Sequence, residues 1–283
     1  MENEERDFVF RFPLSVFRFS TFHYPFSIFR YCAFCANSAN IKLMPAHSIH
    51  AFAEKVSLIT DGANPVGRAV ALQLALLGSY VVVGFSGDSG EEARRAIEEL
   101  KSLGTLANAV ETDVSTVEGA RNLVAEVEKL YGRIDLLVNT LKFEPQASFE
   151  EMNLDDWQKT LGANLKSVFF VTQAALPLMS PRPKPSIVIV ATNCETDQKS
   201  IAFATAQTAT IGLTRQLDRQ LPKNFRVNCV AVNEEPEEKS TAEFELFKTS
   251  RNVAADDVAR VVVFLLSAEA KALSGQILTV DKR

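Results

Sequence analysis

Histidine is absent beyond residue 50, and the three histidines of the chain are His23, His47 and His50. Serine-triad catalysis and histidine-ligated metal sites are therefore excluded from residues 51–283. Cysteine is scarce: the CxxC formed by Cys32 and Cys35 has no second pair to complete a zinc site, so no metal is expected. The net charge of −5 argues against a nucleic-acid partner, which would require a basic surface.

The first fifty residues differ in composition from the rest of the chain. They hold nine of the twenty phenylalanines, and no acidic residue occurs between Asp7 and Glu54. No uncharged run there approaches the roughly 18 apolar residues of a membrane span, so no transmembrane segment is predicted. Three interpretations are open: a transit peptide, a segment that docks on a partner or a membrane surface, or a non-native upstream segment with translation starting at Met44. We expect a cytoplasmic protein, or one in an organelle matrix or stroma if residues 1–50 are a transit peptide.

Residues 51–283 alternate short β-branched runs with segments of helical period. Seven buried strands are predicted: Lys55–Thr60, Tyr80–Gly84, Leu106–Val110, Ile134–Val138, Ser186–Ala191, Phe225–Val230 and Gln276–Val280. The predicted helices are Arg68–Gly78, Gly90–Leu103, Val117–Tyr131, Leu154–Met179, Ile201–Leu221 and Ala255–Ser267. Apolar strands separated by helices are typical of a parallel sheet covered on both faces. We predict an α/β fold with a doubly wound, seven-stranded, Rossmann-like sheet in a single domain.

Several short sequence motifs, which follow one another in a fixed order along the chain, carry a family resemblance. They include Gly67-Arg68-Ala69, Asp113-Val114, the run from Tyr131 to Asn139, Asn164-Leu165, IGLTRQL at Ile211–Leu217 and the run from Gly275 to Asp281. From Lys55 to Asp281 the chain resembles the short-chain dehydrogenase/reductase family, nearest in style to the 3-oxoacyl-acyl-carrier-protein reductases. The resemblance implies an NAD(P)H-dependent reductase with a catalytic Ser, Tyr and Lys and a supporting Asn.

The phosphate-binding turn departs from the family pattern Thr-Gly-x-x-x-Gly-x-Gly. Asp61 replaces the first glycine and brings a carboxylate to the place of two phosphate charges, while Pro65 replaces the second and removes an N–H. Asn64 and Pro65 instead predict an ordinary capped helix start. Gly67 alone remains, and close packing of helix on strand explains it better than a cofactor contact.

Other cofactor positions are altered as well. The resemblance assigns cofactor contacts to Gly67, Asp113 and Asn139, but Thr140 and Leu141 put bulk where the family has small residues. The loop that covers the nicotinamide in relatives is acidic here, with Glu234, Glu235, Glu237 and Glu238. We therefore expect no cofactor. If binding persists, NADP(H) is preferred over NAD, because Gly84-Phe85-Ser86 offers no acidic group to an NAD ribose.

The catalytic pair Tyr-x-x-x-Lys is replaced by Phe203 and Gln207. Phe203 has no proton to give, and Gln207 has no charge with which to lower a pKa. Asn164 matches the supporting Asn, and Thr192 lies at or next to the Ser position. These four positions are vestigial if catalysis is lost.

Three functions follow from these patterns. The first is a catalytically inactive family member that serves as a structural or regulatory subunit, in a homo-oligomer or with an active relative. Its contacts would use the helices Leu154–Met179 and Ile201–Leu221, whose apolar stripes contain Val168, Phe169, Val171 and Ala175 and then Ile201, Ala204, Ile211 and Leu217. The second is a divergent NAD(P)H-dependent oxidoreductase acting on a carbonyl such as a 3-oxoacyl thioester. The third is a nucleotide or ligand sensor without turnover.

Overall fold

The computed structural model describes residues 51–140, 142–145, 147–194, 200–233 and 253–281. Within these residues, seven parallel strands form one sheet in the order β3-β2-β1-β4-β5-β6-β7. The strands are β1 Val56–Ile59, β2 Tyr80–Phe85, β3 Ala107–Glu111, β4 Leu136–Asn139, β5 Ser186–Thr192, β6 Arg226–Asn233 and β7 Ile277–Asp281. The predicted doubly wound α/β fold is confirmed. The predicted boundary at residue 50 stays a prediction, since residues 1–50 lie outside the described ranges.

Helices connect the strands and cover both faces of the sheet. They are α1 Pro65–Leu76, α2 Gly90–Ser102, α3 Val117–Tyr131, α4 Leu154–Leu161, α5 Ser167–Met179, α6 Ile201–Gln220 and α7 Val253–Leu266. The segment predicted as helical over Leu154–Met179 is helical throughout, with a π-helical turn at Gly162–Lys166 between α4 and α5. No helix in the described ranges is long and apolar enough to cross a membrane.

The core has one apolar layer on each face of the sheet. On one face, side chains of α1 and α7 pack together over the central strands, with Val70, Leu74 and Val262 fully buried. On the other face, α3 packs with α5 through residues such as Leu123 and Val171. Burial on both faces explains why the central strands are continuously apolar rather than alternating.

A buried carboxylate ties the amino ends of the central strands together. Asp135 accepts two hydrogen bonds from Arg133, both at 2.8 Å, and a third from Arg182 Nε at 3.1 Å. It also accepts the backbone N–H of Val56 at the start of β1. These contacts lie at the amino ends of the strands, opposite the carboxyl ends where a ligand site is expected.

The order of the strands reverses between β1 and β4, which are neighbours in the sheet. In open α/β sheets a ligand binds in the crevice outside the carboxyl ends of the strands at such a point. The turn after β1 and the segment after β4 therefore border the candidate site.

Candidate functional site

The turn between β1 and α1 is held by its own side chains. Asp61 Oδ1 accepts the backbone N–H groups of Ala63 at 3.0 Å and Asn64 at 3.3 Å. Asn64 Oδ1 accepts the N–H of Gly67 at 2.7 Å, so the predicted N-cap is present, with Pro65 at the first helical position. The N–H groups of Ala63, Asn64 and Gly67 are therefore engaged by side chains of the turn itself rather than being open to a phosphate.

Thr140 connects this turn to the end of β4. Its hydroxyl donates to the carbonyl oxygen of Asp61 at 2.9 Å and also lies 3.3 Å from the Asp61 N–H. Its backbone N–H donates to Thr60 Oγ1, and its carbonyl oxygen accepts from Asn64 Nδ2. The predicted bulk at this position thus consists of a buried, hydrogen-bonded threonine. Leu141 lies outside the described residues.

The three residues assigned to cofactor contacts occupy different environments. Gly67 packs so closely that an added Cβ would lie 1.8 Å from the carbonyl oxygen of Asp61, as expected for a packing glycine. Asp113 is exposed after β3, where its Oδ1 accepts the N–H of Ser115 at 3.0 Å. Asn139, 2% exposed at the end of β4, has no hydrogen-bond partner at either amide atom. Such a buried, unpaired amide points to a ligand or a water.

The four positions that match the family's catalytic residues are all buried. Phe203 is fully buried near the start of α6, below the capping residue Ser200. Gln207 Oε1 accepts the backbone N–H of Thr192 at 3.0 Å, and Gln207 Nε2 donates to Asn164 Oδ1 at 3.0 Å. Gln207 therefore bridges β5 and the π-helical turn instead of presenting a charge to the crevice.

Asn164 is the centre of these contacts. Its Nδ2 donates to the carbonyl oxygens of Phe143 at 2.6 Å and Thr160 at 2.9 Å, and its Oδ1 also accepts the N–H of Phe143. Its own carbonyl oxygen accepts the hydroxyl of Thr210 at 2.8 Å. These bonds use the side chain of Asn164 on both its amide atoms, and they hold the segment after β4 against α6.

A lysine that the sequence reasoning missed lies in this region. The ammonium of Lys142 is 5.3 Å from the centre of the Phe203 ring, within cation–π range, and 3.8 Å from a carboxylate oxygen of Glu144. The available signal was its position, since Lys142 stands where the family has the glycine of Asn-Asn-Ala-Gly. A positive charge thus approaches the former tyrosine position from the β4 side rather than from α6.

The remaining predicted feature, the acidic run from Glu234 to Glu238, lies outside the described residues. The described arrangement can provide an aromatic ring beside a cation, a buried amide network and one unpaired amide. It provides no hydroxyl at position 203 and no ammonium at position 207 with which to move a proton.

Sequence comparisons identify similar proteins across most of the chain. The family model described as enoyl-(acyl carrier protein) reductase matches residues 62–282. The 3-oxoacyl-(acyl-carrier-protein) reductase FabG of Aquifex aeolicus is 31% identical over 242 residues, which cover 80% of this chain and 96% of that protein. Dehydrogenase/reductase SDR family member 4 of Homo sapiens is also 31% identical, over 246 residues that cover 81% of this chain and 86% of that protein.

Solved structures share the fold. A dehydrogenase/reductase from Sinorhizobium meliloti has a TM-score of 0.73 at 22% identity, covering 84% of this chain and 98% of its own. A short-chain dehydrogenase from Burkholderia cenocepacia in complex with NADP has a TM-score of 0.71 at 27% identity, covering 83% and 98%.

The NADP complex contradicts the expectation that no cofactor is bound, and that expectation is wrong. It took changes in the turn after β1, in the segment after β4 and in the acidic loop as the loss of a whole site, whereas a dinucleotide also makes contacts at other strand ends. The fit differs along the crevice: exposed Asp113 and unpaired Asn139 are compatible with a nucleotide. The turn after β1, as it stands, does not fit a pyrophosphate, because its N–H groups are engaged.

Proposed function

We propose a function for this chain from the premise that it belongs to the short-chain dehydrogenase/reductase family. The proposed function is that of a family member that binds NADP(H) but does not reduce a carbonyl through the family's proton-transfer pair. It acts as a structural or regulatory subunit in an oligomer, either with itself or with an active relative.

One observation supports the proposal that proton transfer is lost. Gln207 is 3% exposed, and its amide accepts the Thr192 N–H and donates to Asn164 Oδ1. The neighbouring Phe203 ring is fully buried and carries no ionisable group. A positioned proton donor contributes roughly 10² to 10⁴ in rate, so its absence alone reduces turnover by about that factor. Phe203 and Gln207, which stand at the positions of the family's Tyr and Lys, therefore serve packing and hydrogen bonding within the fold.

Ligand binding is assigned to the crevice between β1 and β4. Asp113 lies exposed at the end of β3, and Asn139 offers an unpaired donor and acceptor at the end of β4. NADP(H) is preferred over NAD, because β2 ends at Phe85 and exposed Ser86 follows, with no carboxylate for a ribose hydroxyl. When bound, the nicotinamide would supply hydride chemistry; no step of such chemistry is assigned to this chain's residues.

The oligomer proposal rests on apolar side chains that the fold leaves on the surface. Phe169 of α5 is 41% exposed and Ile201 of α6 is 45% exposed. In contrast, Val168, Val171 and Ala175 from the same predicted stripe are buried in the core, so they cannot contribute to a contact between subunits. The contact surface is therefore narrower than the sequence stripes predict.

The test is reduction of an acetoacetyl thioester by NADPH, with the Aquifex aeolicus relative as the positive control. We expect NADPH binding by calorimetry but no turnover above background from the wild-type chain. The double variant Phe203→Tyr/Gln207→Lys should recover little activity, since the turn at Asp61 and Pro65 still disfavours the pyrophosphate. Wild-type turnover near that of the control would contradict the proposal, as would a large recovery in the double variant. A monomer at micromolar concentration in size-exclusion chromatography would contradict the oligomer.

A further inference from the structure

The Asp61 carboxylate binds backbone N–H groups of the two residues that precede α1. One of its oxygens accepts two of them, from Ala63 and Asn64. Convergent N–H groups at a helix start are the groups that bind phosphate in other folds, where both the hydrogen bonds and the helix dipole favour a negative charge. Here the negative charge that satisfies them belongs to the protein.

We propose that the Asp61 side chain acts as an internal substitute for a ligand phosphate, and that it sets the affinity of the crevice for NADP(H). This inference rests on the proposed NADP(H) binding. A pyrophosphate can enter the turn only if the carboxylate swings out and gives up both hydrogen bonds, or if the two negative charges are brought close together. Like charges placed side by side in a binding site oppose binding strongly.

A second observation, a buried amide without a partner, points to a ligand or a water next to this turn. Asn139 ends β4, the strand beside β1, and it is 2% exposed with neither amide atom paired. The next residue, Thr140, is hydrogen-bonded directly to the backbone of Asp61. Asn139 is therefore linked to the turn through its neighbour Thr140.

The nearest basic side chain along α1 does not compensate for the carboxylate. Arg68 forms an ion pair with Glu99 at 2.6 Å on the surface of the protein. Lys142, on the other side of the crevice, lies beside Glu144 and the Phe203 ring. Arg68 therefore supplies no countercharge to Asp61 at the turn.

Three substitutions separate the charge of Asp61 from its hydrogen bonds. Asp61→Asn keeps an acceptor oxygen for both N–H groups and removes the charge. Asp61→Ala removes both, and Asp61→Gly restores the residue that the family has at this position. Asn153→Ala is the control, because it removes a comparable side-chain cap, the one on the N–H of Asp156 in α4, outside the turn.

The experiment is calorimetric titration of the full chain and the four variants with NADPH. We expect Asp61→Asn to lower the Kd at least about tenfold, which corresponds to roughly 1.4 kcal/mol, and Asp61→Ala and Asp61→Gly to lower it further. Asn153→Ala should keep the wild-type Kd. The inference is overturned if none of the Asp61 variants binds more tightly than the wild-type chain.

Folding and function are controlled separately. Urea unfolding shows whether each variant is folded, through a cooperative unfolding transition. If Asp61→Ala does not fold, Asp61→Asn, which preserves both the shape of the side chain and its acceptor oxygen, still tests the inference. Turnover of the thioester by the wild-type chain would contradict the proposed function, and the Kd values of the variants could still be compared. Equal Kd values for the wild-type chain and the Asp61 variants, without turnover, would contradict the role of Asp61 and leave the proposed function intact.

Discussion

Replacing Gln207 by leucine tests whether this residue has become part of the structure. The substitution keeps a side chain of similar length on α6 but removes the acceptor for the Thr192 N–H and a donor to Asn164 Oδ1. Both partners are buried, at 4% and 2% exposure, so water does not replace the lost bonds freely.

The expected change in the free energy of unfolding follows from the loss of these two hydrogen bonds. An unpaired buried N–H costs roughly 1–3 kcal/mol, and the lost bond at Asn164, which keeps its contact to Phe143, costs about 1 kcal/mol. Burying a more apolar side chain returns about 1 kcal/mol. We therefore expect Gln207→Leu to lower the free energy of unfolding by about 2 kcal/mol.

The assay is urea unfolding followed by circular dichroism, with Gln216→Leu as the matched control. Gln216 lies on the same helix and is exposed, so the same chemical change there should alter stability by less than about 0.5 kcal/mol. A double-mutant cycle with Asn164→Ala should give a coupling energy of about 0.5–3 kcal/mol. If Gln207→Leu and Gln216→Leu unfold alike, the buried bridge does not stabilise the protein and the argument fails.

Two further predictions concern buried ionisable groups. Burial raises the pKa of the Cys229 thiol from 9.0 to about 12. The protonated thiol therefore contributes fully to stability below pH 9, and this contribution is lost as the pH rises towards 12. The free energy of unfolding of the wild-type chain should fall more steeply between these pH values than that of the Cys229→Ala variant, and equal slopes would contradict the prediction. Burial alone would raise the pKa of the Asp135 carboxyl, but hydrogen bonds from Arg133 and the Val56 N–H outweigh it and hold the pKa below its usual value. The stabilisation from Asp135 is therefore present above about pH 4 and is lost as the pH falls through the lowered pKa. Asp135→Asn should cost about 2–4 kcal/mol at pH 7 and progressively less in acid, as measured by urea unfolding across a series of pH values.

The fold was predictable because its signals are local and repeated. Each central strand is a continuous apolar run, and each is followed by a segment of helical period, so the layer order follows from chain order. The cap at Asn64 was also predictable, since Asn before Pro at a helix start satisfies the N–H groups by side-chain geometry alone.

The site was less predictable, because its key contacts join residues far apart in sequence. The family resemblance places Gln207 in one site with Asn164 and Thr192, but it does not indicate that the Gln207 amide bonds to Asn164 Oδ1 and to the Thr192 N–H. The π-helical turn that contains Asn164 precedes the apolar stripe of α5, and no sequence signal marked it. Lys142 was overlooked for the same reason: its proximity to Phe203 depends on how the segment after β4 folds back onto α6.

The bridge through Gln207 has a consequence for engineering: the family's catalytic pair cannot be introduced into this chain one residue at a time without disturbing buried contacts. Lysine at position 207 can donate to Asn164 but cannot accept the Thr192 N–H, so that single substitution is expected to lower stability. Tyrosine at position 203 places its hydroxyl in a buried position otherwise filled by an aromatic ring. We therefore expect each single variant to be less stable than the present chain, so the two changes have to be combined with others that restore the lost contacts.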